Sequence, residues 1–141
     1  MYGYEYTLLE PQDFWRRVPD SVKPRYHFYN APITAGAKDA LSPLRFIREI
    51  ATENDFVSFK LDVDTASVEI PQALALLVDP ELSKLVDEFF FELHFRCEIM
   101  TSCGWQENDI SDDYGITLDR SHALQFFQDI RMLGIRAHIW P

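Results

Sequence analysis

The chain has 141 residues, 47% of them hydrophobic and 14% aromatic, enough apolar material for one folded domain of ordinary size. Its formal net charge of −10 argues against binding to a nucleic-acid backbone or an anionic membrane surface, both of which select clustered Lys and Arg. There is no apolar run near the ~20 residues of a membrane helix and no basic-then-apolar leader pattern. The expectation is a cytoplasmic protein whose Cys97 and Cys103 are reduced thiols.

In chain order, Tyr2 to Leu9 mixes aromatics with Thr and predicts a strand closed by Glu10-Pro11. Gln12 to Val18 follows as a short helix stopped by Pro19. Lys23 to Asn30, aromatic and loosely alternating, predicts a second strand, and Pro32 and Gly36 mark the loop after it. A helix is expected from Pro43 to Thr52: Ser42 suits the N-cap, Pro43 the first helical position, and Leu44, Ile47 and Ile50 share one face.

Asp55 to Val63 is short and apolar, the pattern of a strand buried on both faces. Ala66 to Val78 follows as a helix, with Val68, Leu74, Leu77 and Val78 near helical spacing; Pro71 is tolerable there only within the first turn. Pro80 to Val86 makes a further short helix, and Val86 to Phe95 a second strongly apolar strand. Arg96 to Ile116 lacks periodicity and reads as a long loop. A last helix, capped by Thr117 or Asp119, runs to Leu133 with Leu124, Phe127, Ile130 and Met132–Leu133 on its apolar side. Gly134 suits its C′ position, and Ile135 to Trp140 returns as a strand. Strands alternating with helices predict one α/β domain over residues 1–141, a Rossmann-like, mostly parallel sheet flanked by helices.

Residues two apart on a strand face the same way, so Lys60, Asp62 and Asp64 share a side, as do Glu88, Phe90, Glu92 and His94. Ligands of open α/β sheets collect beyond the carboxyl ends of strands, where Asp62, Asp64, Glu92 and His94 lie. Three carboxylates and an imidazole converging there call for a cation, a proton or a ligand to compensate them. Taken singly, each residue reads as a strand end meeting water; the five together, Lys60 included, read as a candidate site. His27, His122 and His138 occur singly and read as surface or satisfied core residues. Trp15 and Trp140 read as packing residues, whereas Trp105 lies in the long loop.

Phe56 to Leu74 resembles the fourth strand and following helix of FkbM-type S-adenosylmethionine-dependent methyltransferases. Where that family reads Lys-Ile-Asp-Val-Glu-Gly-x-Glu, this chain has Lys60, Leu61, Asp62, Val63, Asp64 and, after a longer gap, Glu69. Val86 to Phe95 is similar to the family's fifth strand, Tyr2 to Val18 to its second strand and helix, and Arg25 to Ile33 to its third strand. The resemblance implies S-adenosylmethionine as cofactor, Glu5 on the ribose hydroxyls with Glu10 a lesser candidate, and Asn30-Ala31 beside the adenine. It further implies Asp62 and Asp64 near the reactive methyl group and a small-molecule or glycan-like methyl acceptor.

The family's first strand and glycine-rich loop would precede Tyr2, and the five glycines of this chain form no such loop. That strand lies between the second and fourth, so three arrangements are open: a fragment, strands that close the gap, or another chain that fills it. Two further function classes stand beside the methyltransferase. Asp62-Val63-Asp64 is an Asp-x-Asp able to hold Mg²⁺ or Mn²⁺, with Glu92 and His94 completing the shell of a metal-dependent enzyme. A non-catalytic module that assembles with itself or a partner over its open sheet edges is the other.

Overall fold

The computed structural model describes residues 1–93, 115 and 120–140. Among them the elements are β1 (Tyr2–Tyr4), α1 (Pro11–Arg17), β2 (His27–Tyr29), α2 (Pro43–Ile50), β3 (Ser58–Leu61), α3 (Ala66–Val78), α4 (Pro80–Ser83), β4 (Glu88–Phe91), α5 (Arg120–Met132) and β5 (Arg136–Ile139). A short 3-10 turn, Lys23–Arg25, replaces the start of the second predicted strand. The long loop expected over 96–116, Gly115 apart, both cysteines, Trp105, His94 and the expected helix caps Thr117 and Asp119 lie outside the described residues.

The α/β alternation is as expected, but the strands are shorter than the apolar runs that predict them and form two parallel sheets. β1 pairs with β2, and β3, β4 and β5 pair in that order. Among the described residues the strands therefore do not close the gap between β1 and β3. β1 stops at Tyr4 because Asn30 takes up the backbone that follows. Its amide donates to Glu5 O at 2.9 Å and Thr7 O at 2.7 Å, while its Oδ1 accepts from Leu9 N at 2.8 Å.

β3 is not buried on both faces. Phe59 and Leu61 are buried, but Ser58 and Lys60 alternate with them on an exposed face. Phe59, Leu61, Phe89, Phe91 and Ala137 point to the helix-covered side. There they meet Ile70, Ala73 and Leu76 of α3, Leu82 of α4, and Ala123, Phe126, Phe127 and Ile130 of α5. Burying each large side chain contributes about 1.5–3 kcal/mol, so this one cluster is the main source of stability.

Two helix faces differ from expectation. α5 buries Ala123, Phe126, Phe127 and Ile130, an i, i+3, i+4, i+7 stripe, and leaves Leu124, Met132 and Leu133 exposed. α3 buries Glu69, Ile70, Gln72, Ala73 and Leu76, while Val78 faces solvent. The buried Gln72 donates to Thr34 O and to the hydroxyl of Ser42, so Ser42 begins α2 without capping it through its side chain.

α2 ties the two sheets together. Leu44 sits in the main cluster, whereas Phe46 packs edge-on against Tyr2 of β1 at 4.6 Å. Around β1 and β2 a second, aromatic cluster forms, with Phe14 of α1 stacked on Phe28 at 3.8 Å. Gly134 adopts φ +93°, in keeping with the C′ position it was assigned.

Pro71 is the sixth residue of α3, beyond the first turn. Its ring removes the donor that would meet the Ser67 carbonyl, and Ser67 is exposed, so that oxygen is left without its helical bond at an exposed residue. Pro71→Ala is expected to stabilise the domain by roughly 1–2 kcal/mol, the restored bond outweighing the lost rigidity of the unfolded chain. Urea denaturation with an unchanged m-value checks this; a lower midpoint contradicts it.

Candidate functional site

The site begins where β3 ends. After Leu61 the chain turns through Asp62 to Thr65 into α3, and Asp64 adopts φ +53°, a left-handed conformation in which Asp is tolerated. No glycine occupies this turn, so the strain falls on Asp64 itself. Glu69, 2% exposed in the first turn of α3, reaches back to both sides of it. Its Oε1 accepts from Val63 N at 2.8 Å and its Oε2 from Thr65 N at 3.2 Å. Buried carboxylates persist only with such partners.

Parallel register aligns Leu61 with Phe91, so the next residues, Asp62 and Glu92, emerge side by side. The carboxylate oxygens of Asp62, Asp64 and Glu92 lie within 4.8 Å of one another. Burial, the hydrogen bond to Asp62 and the negative charges of Asp62 and Asp64 raise the Glu92 pKa from 4.5 to about 7, against the pull of Lys60. Glu92 therefore keeps its proton to near neutrality, hydrogen-bonded to Asp62. Lys60 Nζ lies 2.5 Å from Asp62 Oδ2 and 4.3 Å over the Trp140 ring.

Beside this cluster is a cavity of about 440 Å³, within the range of small-molecule sites. Its walls are Tyr4 to Thr7 after β1, Ala31 to Ile33 after β2, and Asp62 to Thr65 with Val68 after β3. It thus opens at the carboxyl ends of three strands drawn from both sheets. Glu5 Oε1 accepts the Thr7 amide at 2.7 Å. Its other oxygen has no protein partner among the described residues.

Four of the five clustered residues, Lys60, Asp62, Asp64 and Glu92, are brought together; His94 lies outside the described residues. Glu5 lines the cavity. Asn30 does not line it: its amide is spent on the Glu5–Leu9 backbone, which it shapes from behind. Glu10, one residue before α1, is also outside the lining.

Sequence reasoning gave no role to Glu69, although a carboxylate set among the buried positions of a helix is a signal of a bonded partner. Trp140, read as a packing residue, does pack edge-on against Phe90 at 6.0 Å, and its ring also lies under Lys60, an added contact the sequence did not suggest. His138 stacks on Phe90 at 4.6 Å and meets Glu88 Oε1 at 3.2 Å, while His27 and His122 are exposed.

Comparison with protein-family models, curated proteins and solved structures finds no match to this chain.

Folding raises the Glu92 pKa, so its contribution to stability is complete below 4.5 and is lost as pH rises through about 7. Carbon-13 NMR of the Glu92 carboxyl is expected to show a midpoint of about 7. Asp62→Asn removes a charge that opposes ionisation and should lower the midpoint. A wild-type midpoint in the ordinary glutamate range would contradict the proximity of the three carboxylates.

Proposed function

We propose that this is a Rossmann-like domain of methyltransferase type and that its cavity receives the nucleoside end of S-adenosylmethionine. The supporting observation is that Glu5, after β1, and Asp62 to Thr65, after β3, face each other across one cavity at the carboxyl ends of parallel strands. The lining suits one half of the cofactor. Glu5 offers carboxylate oxygen to ribose hydroxyls, and Ala31, Pro32 and Ile33 offer an apolar wall to a base. It does not suit the methionine half through backbone amides of a glycine-rich loop, since no glycine among the described residues lines the cavity.

When bound, the cofactor supplies an electrophilic methyl group on a sulfonium centre. Within this chain, the Asp62–Glu92 pair is suited to take a proton from an acceptor hydroxyl, because a base near neutrality is the efficient one. Lys60 pairs with Asp62 and orients its carboxylate. The acceptor is proposed to be a small molecule or glycan-like hydroxyl compound.

Isothermal titration with S-adenosylhomocysteine is expected to show binding below about millimolar, weakened roughly tenfold by Glu5→Gln, which removes a charge-assisted acceptor. No heat at millimolar ligand would remove this reading.

One observation favours a second reading, a divalent-metal enzyme: three carboxylate ligands within 4.8 Å of one another. Oxygen ligands of this kind suit Mg²⁺ or Mn²⁺, and Glu92 must lose its proton to join them. On this reading Mn²⁺ raises the thermal midpoint, and its apparent affinity weakens about tenfold per pH unit below about 7, in step with Glu92 protonation. A thermal shift that Asp62→Asn leaves unchanged would count against it.

A further inference from the structure

We infer that Glu69 is the positioning residue of this site, holding Asp62 and Asp64 in the geometry that a ligand in the cavity meets; the inference rests on the cavity being a ligand site. Four observations carry it. The side chain is 2% exposed, so its oxygens are sealed from solvent and must be served by protein. They are served by the amides of Val63 and Thr65, the two neighbours of Asp64. Between those two anchors the backbone takes its left-handed turn at φ +53°. Finally, Asp62, Val63, Asp64 and Thr65 all belong to the cavity wall, whereas Glu69 does not.

Stability of the helix alone does not call for this arrangement. α3 begins by backbone bonds from Val68 and Glu69 to the Thr65 carbonyl, without a side-chain cap. An apolar residue at position 69 would join the face made by Ile70, Ala73 and Leu76. What it could not do is grip the chain on both sides of Asp64. Freed of that grip, the Asp64 carboxylate would relax away from Asp62 and out of the cluster, because like charges so close repel. Glu69 therefore acts on ligand through the turn, and touches none itself.

The test compares wild type with Glu69→Gln, which keeps volume but sets an NH₂ group against one of the two amides. S-adenosylhomocysteine is titrated calorimetrically, the thermal midpoint is measured, and NMR follows the Asp64 Cα shift with amide exchange at Val63 and Thr65. Expected are a 10- to 100-fold loss of affinity, typical of supporting residues, with the midpoint lowered by only several degrees and folding still cooperative, and an Asp64 shift leaving the left-handed range. Unaltered affinity together with an unaltered Asp64 shift overturns the inference. Affinity lost only in proportion to a collapsed midpoint overturns it as well, assigning Glu69 to stability alone.

If wild type itself fails to bind, the nucleoside reading falls, and the Asp64 shift alone then decides whether Glu69 holds the turn. Should Glu69→Gln not fold, Glu69→Asp serves in its place, since its shorter side chain cannot reach both amides.

Discussion

The Glu69 carboxylate accepts the Val63 amide at 2.8 Å and the Thr65 amide at 3.2 Å, and the rest of the site hangs on those two bonds. Charge-assisted bonds of this kind contribute about 1.5–3 kcal/mol each, against about 1–2 kcal/mol for one residue forced into a left-handed conformation. The comparison favours the turn as observed, with Asp64 strained and its neighbours anchored. From this follow the direction of the Asp62 and Asp64 carboxylates and their approach to Glu92. The crowding of charge is then relieved locally: Lys60 pairs with Asp62, and Glu92 keeps a proton to near neutrality.

A second constraint acts on the opposite wall. Asn30 bonds to the backbone of Glu5, Thr7 and Leu9, holding the chain at the end of β2 in a non-strand conformation after only three strand residues. Both walls are thus shaped by a polar side chain that grips backbone from outside the cavity. The sheets are joined through α2, which buries Leu44 in one cluster and sets Phe46 against Tyr2 in the other, and through the loop after β2, whose Thr34 carbonyl accepts from Gln72 of α3. The cavity occupies the seam between them, which is why it draws lining from the ends of β1, β2 and β3.

Much of this order is legible from local pattern. The Lys60–Asp62 and Glu88–Phe90–Glu92 sets follow from a period of two, and the positive φ of Gly134 from helix termination. Element ends are less legible. Tyr2 to Leu9 carries strand-like residues throughout, yet pairing ends at Tyr4 because a side chain 21 residues further on, Asn30, competes for the Leu9 backbone. The apolar side of α5 was misplaced because Leu124 and Met132 are as hydrophobic as Phe126, and hydropathy alone does not say which stripe meets Phe91. Asp55 to Val63 looks doubly buried by composition, but Ser58 and Lys60 mark the face left uncovered by helices among the described residues.

The amino-acid sequence by itself determined the alternation of elements, the acidic character, and the placing of Lys60, Asp62, Asp64 and Glu92 each at the end of its own strand, since each depends on residues near in sequence. Only the tertiary structure decided that there are two parallel sheets, that a cavity joins Glu5 to Asp64, that Glu92 holds its proton to about 7, and that Glu69 faces the Asp64 turn. Strand pairing, desolvation and like-charge proximity are properties of groups brought together across the chain. Their free energies do not exist until the fold makes them neighbours.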